Sequence, residues 1–464
     1  MEMDPGALLP ELVLLVGALA VLLTGSFLPR RRLGWTRIGT VAVLGVAAVA
    51  AALAYAEPAR AVFDGTYTVD AATGGARLIA VVGTALVVLL AGDELAGQPR
   101  QAEICCLLLL ATLGTVVMAG AADLLIVVTG FLLASIPLYA LIGLSQTAGA
   151  AEATMKTYFF GSLFGIVLLA GVTVLYGVGS STTYVELQGS LPTAPGGAVV
   201  FGTVAVIGGL MFKAGGVPGH FWVPDATQGA GAYAAAYLTS IPKIGALIAA
   251  YRLVLVLPAE SQAPLFVGLL ALVSMTLGNL AAFAQDDPRR LLGWSTVSQV
   301  GYLLVAVAVA GQSDLALPGL LVYLAGYVVT NVTAFAVVAA VPGRRALTDY
   351  AGLFRSQPWL AAALLVSLLG LVGTPPTAVF VGKLAVGTAA WDGGAPWLTV
   401  ALLANSVLSL FYYLRWIAPM VRLAPPVTEV KAWGSRSALA GAALSLAVGI
   451  LAAGPWWLFG GGSG

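Results

Sequence analysis

Three lysines and one histidine stand where the surrounding sequence offers them little water. Of 464 residues, 60 % are hydrophobic and 9 % charged, yet Lys213, Lys243 and Lys383 fall inside long apolar stretches. His220, the only histidine, follows Lys213 in GGLMFKAGGVPGHFWVPD, residues 208–225. An ionisable residue at membrane depth costs at least about 2.5 kcal/mol on insertion scales and marks a functional site by default. The residue type narrows the chemistry. Arginine keeps its proton in a protein, whereas a buried lysine can give its proton up. The chain holds sixteen arginines and five lysines, and three of the five lysines lie in apolar spans. A side chain that must alternately hold and release a proton is lysine; the fixed charge of the loops is nearly all arginine.

Each candidate also has a plainer reading. Lys213 and Lys383 lie toward helix ends, where a long side chain can snorkel to the interface. Lys243 is harder to explain that way, because it sits midway along its stretch in SIPKIGAL, directly after Pro242. A proline inside a helix removes a donor and frees a carbonyl that can hold water. For His220, two readings stand side by side: a hydrogen bond to freed backbone carbonyls, or a proton relay. Two stretches are interrupted by Gly and Pro, at GGVPG (215–219) and GTPPT (373–377), each within eight residues of a lysine. Broken helices at matching positions of two halves point to an inverted-repeat transporter with its site at the breaks.

The elements that must position these residues follow from composition. A soluble domain carries about a quarter charged residues, so a chain with 9 % charge and mean hydropathy +0.98 belongs in a bilayer. The net charge of +1 and the lack of a long basic run offer no footprint for nucleic acid. Cys105 and Cys106 are adjacent in an apolar run and do not have the spacing of a metal clamp. Spanning helices need about 20 mainly apolar residues. Fourteen such stretches are expected, near 7–28, 39–56, 76–92, 104–121, 123–144, 156–177, 197–217, 230–257, 264–285, 290–311, 315–341, 358–388, 395–421 and 436–458. The first is read as a retained helix, because FLPRRRLGW follows it rather than a small-residue cleavage site.

Loop charge sets the expected orientation. Loops after odd-numbered helices are assigned Arg30, Arg31, Arg32, Arg37, Arg100, Lys156, Arg289, Arg290, Arg344, Arg345, Arg355, Arg422, Lys431 and Arg436. Loops after even-numbered helices are assigned Arg60 and Arg77 only. Both termini are therefore expected outside.

GLMFKAGGVPGHFWVPD and SIPKIGALIAAYRL resemble the antiporter-like membrane subunits of respiratory complex I, the proton-pumping NADH–quinone oxidoreductase. Among these subunits the chain looks like subunit N, the bacterial relative of mitochondrial subunit 2. The resemblance runs along almost the whole chain, from LLPELVLLVGALAVLL and AEATMKTYFFGSLF to MTLGNLAAFAQDDPRRLLGWSTVSQVGYLL, YVVTNVTAFAVVAA and LLGLVGTPPTAVFVGKL. Single motifs such as PxxxFxGK also fit subunits L and M and cation–proton antiporters of the Mrp type.

The resemblance implies an all-helical membrane protein, a single antiporter-like domain over 1–464 with inverted five-helix repeats near 104–257 and 264–421. It implies that Lys213 is a pumping lysine, Lys243 a connecting lysine and Lys383 a terminal lysine, with His220 in the broken segment. It implies proton translocation coupled to quinone reduction, with no redox chemistry on this chain. FMN, iron–sulfur clusters, NADH and a quinone would sit elsewhere in the complex; the alanine- and arginine-rich composition is compatible with menaquinone. Expected neighbours are subunits resembling M and K, in a bacterial plasma (inner) membrane. Two alternatives stay open: a subunit of an Mrp-type antiporter or membrane hydrogenase, and a structural complex I subunit with impaired pumping.

One position departs from the family pattern. Its fifth helix usually carries glutamate in a motif like GLELxSLxLY, whereas this chain reads GFLLASIPLY, with Leu132 at the glutamate position and Ser135 and Tyr139 in place. The only acid of that helix, Asp123, lies nine residues earlier, about 13 Å along the axis at 1.5 Å per residue. Thr129 and Ser135 remain as polar groups beside position 132.

Overall fold

In a bilayer only structures that satisfy their own backbone hydrogen bonds persist, and apolar runs of this length do so as helices. The computed structural model describes residues 4–258, 261–425 and 429–459. Helices α1 (Leu9–Phe27) and α2 (Gly34–Tyr55) are followed by an antiparallel hairpin of β1 (Arg60–Val62) and β2 (Tyr67–Val69). Next come α3 (Ala71–Leu90), the one-turn α4 (Gly92–Leu95), α5 (Gln101–Gly120), α6 (Leu124–Gly143), α7 (Ala148–Gly179) and α8 (Tyr184–Ser190). Helix α9 (Gly196–Ala214) breaks and resumes as α10 (Trp222–Gly229), ahead of α11 (Ala232–Val256). The chain continues through α12 (Ala263–Phe283), α13 (Pro288–Ala308), α14 (Ala316–Ala340) and the one-turn α15 (Leu353–Ser356). A second broken pair, α16 (Pro358–Val372) and α17 (Ala378–Asp392), precedes α18 (Pro396–Met420) and α19 (Ala432–Phe459).

Thirteen helices among the described residues are long and apolar enough to cross a membrane. The remaining expected stretch, 358–388, is the pair α16–α17, whose members have fifteen residues each. Helices α11, α13 and α14 are buried along nearly their whole length. Helices α1, α2, α7, α12 and α18 turn large apolar side chains outward, among them Leu19, Val49, Ile166, Leu269 and Val407. A protein apolar on its outside as well as its inside is solvated by lipid.

Of the residues assigned to loops, Arg37, Arg289, Arg290, Arg355 and Arg436 lie in the first or second turns of α2, α13, α15 and α19, and two more are corrected further. Arg77 lies within α3 and is fully buried. Asp70 caps the helix by accepting from Thr73 N–H at 2.9 Å, so α3 starts at Ala71 and carries Arg77 inward. Burial is tolerable because Arg77 meets Glu11 through Nε–Oε1 and Nη2–Oε2, both 2.8 Å. It also donates to the Ala7 carbonyl, and Tyr67 adds a 2.6 Å hydrogen bond to Glu11. Removing one partner of such a buried pair costs about 3–5 kcal/mol. Lys156 lies in the third turn of α7, which starts at Ala148 because Thr147 caps Ala150 N–H. Its ammonium reaches Glu152 at 2.7 Å and Asp225 at 2.8 Å.

Candidate functional site

Both breaks use the same device. Gly215 (φ +80°) ends α9 and Gly373 (φ +92°) ends α16, each in the left-handed region that glycine enters without a Cβ clash. Gly215 and Gly216 N–H turn back to the Met211 carbonyl, and Gly373 and Thr374 N–H to that of Leu369. Pro218, Pro375 and Pro376 lack an N–H with which to extend either helix.

The three lysines gather around these breaks. Lys243, on α11, is fully buried, with its amine against the Gly215 backbone and 5.2 Å from the Trp222 ring centre. Its Nζ has no hydrogen-bond partner among the described residues. Pro242 leaves α11 intact, and Tyr327 donates to the neighbouring Thr239 carbonyl at 2.7 Å. Lys383, on α17, lies across the second break. Its amine donates to the carbonyls of Val372 (2.9 Å) and Leu371 (3.4 Å) and to Ser406 Oγ (3.1 Å). It also stands 3.9 Å above the Tyr302 ring. These are carbonyls that the end of α16 leaves free, at the negative end of that helix. Lys213, in the last turn of α9, turns toward α6 and donates to Ser135 Oγ at 2.5 Å. All three are buried, so the snorkelling reading fails for Lys213 and Lys383.

Buried polar side chains that the sequence did not single out bond to one another on α11, α13 and α14, the helices around the lysines. Asn331 donates to Thr239 Oγ1 (2.8 Å) and Ser240 Oγ (2.9 Å) on α11. Tyr327 bonds Thr296 Oγ1 at 3.1 Å. Gln299 donates to the Leu371 carbonyl and accepts from Tyr323 at 2.7 Å, and Leu371 is also reached by Lys383. The signal was present in the sequence as hydroxyl and amide residues inside apolar spans, in WSTVSQ and VVTNVT. Hydroxyls and amides can both accept and donate hydrogen bonds.

His220 is buried at the far end of the first break, 5.7 Å from the Trp294 ring, and its Nδ1 has no partner among the described residues. Leu132 is 44 % exposed on the outer side of α6. Ser135, on the buried side, is the α6 group that meets Lys213, while Thr129 turns outward and bonds the Leu125 carbonyl. Asp123 is spent at the start of α6, accepting from Leu125 and Ile126 N–H. Outside the spans, Asp225 on α10 ties the broken segment to its neighbours through Lys156 and Arg290. Partial burial works to raise its pKa, but hydrogen bonds from those two cations hold it below the ordinary value.

Residues 121–409 match the family described as NADH:quinone oxidoreductase/Mrp antiporter, TM. The chain is 53 % identical over 464 residues to NADH-quinone oxidoreductase subunit N of Mycobacterium sp. (strain JLS), covering 98 % of both chains. Its fold is similar to a chain of respiratory complex I from Thermus thermophilus solved with bound aureothin (TM-score 0.83, 30 % identity, 96 % of this chain and 97 % of that one). A chain of the Mrp complex from Dietzia sp. has the same fold at 21 % identity (TM-score 0.84, 98 % and 96 % covered).

Proposed function

Because the chain belongs to the NADH:quinone oxidoreductase/Mrp antiporter membrane family, among the NADH-quinone oxidoreductase subunit N proteins, we propose that it moves protons across the membrane as part of a complex I-type enzyme. One observation carries the reading: buried Lys243 and Lys383 lie at two helix breaks, in a bundle whose interior holds hydrogen-bonded hydroxyl and amide side chains of α11, α13 and α14. In this reading Lys243 is the central store, held at the first break without a fixed partner. Lys383 is the terminal store, held by carbonyls whose dipoles favour an ammonium. Lys213 is the store on the α6 side, and His220 lines the break between them.

The order of elements supports two repeats near 104–257 and 264–421. Each opens with a tightly packed helix pair, α5–α6 and α12–α13, and each contains one broken helix. Redox chemistry in this reading belongs to other subunits that carry FMN, iron–sulfur clusters and the quinone site. The two cysteines of this chain are adjacent in one helix, whereas iron–sulfur clusters take four thiolate ligands. The proposed setting is a bacterial plasma membrane with both termini outside and subunits resembling M and K on either flank. A second reading, a structural subunit with a weak pumping stroke, rests on Leu132: Lys213 meets a serine hydroxyl rather than a carboxylate. Purification through an affinity tag on this chain tests the assembly. Co-purified subunits with NADH–quinone reductase activity are expected, whereas an assembly exchanging cations for protons without NADH oxidation would favour the antiporter alternative.

A further inference from the structure

Three clefts open on the arginine-rich face, and one carboxylate lines all of them. A cleft of about 340 Å³ lies between the ends of α3, α14 and α19, and one of about 900 Å³ between α7, α10 and the head of α13. The third, about 250 Å³, lies beside the α4–α5 turn. Glu94, on α4, stands in the wall of each.

The other carboxylates of these walls are already committed. Asp93 accepts from Trp433 and Gly434 N–H at the head of α19. Asp225 is held by Lys156 and Arg290, Glu152 by Lys156, and Asp287 caps α13 through Arg289 and Arg290 N–H. Glu94 has one hydrogen bond among the described residues, a 3.4 Å contact from Tyr233 N–H. It lies against the first residues of α11, where a Cβ on Gly231 would collide with its carboxylate. Sharing its clefts are Arg289 and Arg290 from α13, Arg344 and Arg345 from the α14–α15 connection, Tyr233 from α11, Lys431 in the first cleft and Arg100 in the third. Glu94 is itself exposed, so water in the clefts reaches its carboxylate.

We propose that Glu94 is the proton-loading group of the lysine row, taking protons from water in the clefts and passing them inward along α11. The inference rests on the pumping role of Lys243. Water-borne hydronium protonates the carboxylate, leaving neutral acid and water. The acid then loses that proton toward the neutral amine of Lys243, which becomes ammonium as the carboxylate is restored. Lys243 is ten residues beyond Tyr233, about 15 Å at 1.5 Å per residue. Tyr237, Thr239 and Ser240 are buried along that interval.

The test compares Glu94→Gln, Glu94→Asp and Lys243→Met in the assembled complex reconstituted in vesicles. The glutamine variant keeps an acceptor for Tyr233 N–H, so a helix-capping role alone would leave pumping unchanged. The expected result is a loss of pumped protons per electron in Glu94→Gln equal to that in Lys243→Met. In Glu94→Asp, pumping is retained with a shifted pH profile. Should the glutamine variant fail to assemble, the aspartate profile decides, and an unshifted one overturns the proposal. If Lys243→Met loses protons and Glu94→Gln does not, the loading role is wrong and the pumping reading stands. If neither loses protons, both fail.

Discussion

The same substitution at two lysines should change stability in opposite directions. Lys243→Met removes a fully buried amine that has no hydrogen-bond partner among the described residues, and replaces it with an apolar chain of similar length. An unsatisfied buried polar group costs about 1–3 kcal/mol, so its removal should stabilise the fold or leave it unchanged. Lys383→Met instead takes the amine from the Val372 and Leu371 carbonyls and from Ser406. Those acceptors lie at a helix end, and leaving them bare should cost about 1–3 kcal/mol. The two variants should thus differ by at least about 1 kcal/mol, with Lys243→Met the more stable. Thermal midpoints of this subunit in the purified complex, followed by loss of the native band after heating, measure the order. A Lys243→Met midpoint as low as that of Lys383→Met would refute the reasoning. It would mean that the central lysine holds the fold together rather than paying a folding cost for transfer.

Three further outcomes are expected. Lys213→Met should lower the proton-to-electron ratio less than the equivalent change in relatives that carry the fifth-helix glutamate, and Leu132→Glu should enlarge the effect; loss of a whole subunit's share on Lys213→Met alone would contradict this. Single cysteines placed in the 30–37 and 344–355 loops should resist an impermeant thiol reagent in intact cells, and ready labelling would reverse the orientation. Asp225 has a depressed pKa, so its contribution is present above the unfolded value near about 3.9 and is lost as pH falls through the folded one. The stability gap between wild type and Asp225→Asn should therefore close on acidification, and a gap constant with pH would count against the Lys156–Asp225–Arg290 link.

Much of this arrangement was legible in the sequence, for identifiable reasons. Spans read out because each needs about twenty apolar residues, and the breaks because glycine and proline punctuate a helix unambiguously. Lys213, Lys243 and Lys383 read out because charge is rare in such company. Partnerships across the bundle did not. Arg77 was counted with the loops because Glu11 is 66 residues away, and nothing local announces their pairing. Lys156 reads as the first residue of its span because the alanine-rich turns ahead of it are less apolar than the rest of the helix. The serine that meets Lys213 was visible, but not that it faces inward while Leu132 faces out. Gln299, Tyr323, Tyr327 and Asn331 appeared only as polar letters within apolar helices, since their value lies in which carbonyls and hydroxyls they reach.

The most direct test of the pumping role is the proton-to-electron ratio of the assembled complex in sealed vesicles, for wild type and for Lys243→Met, at equal subunit content. The lysine row predicts that the ratio falls in the variant, because protons cannot cross between the two breaks without the amine at Gly215. An unchanged ratio in a fully assembled complex would contradict it.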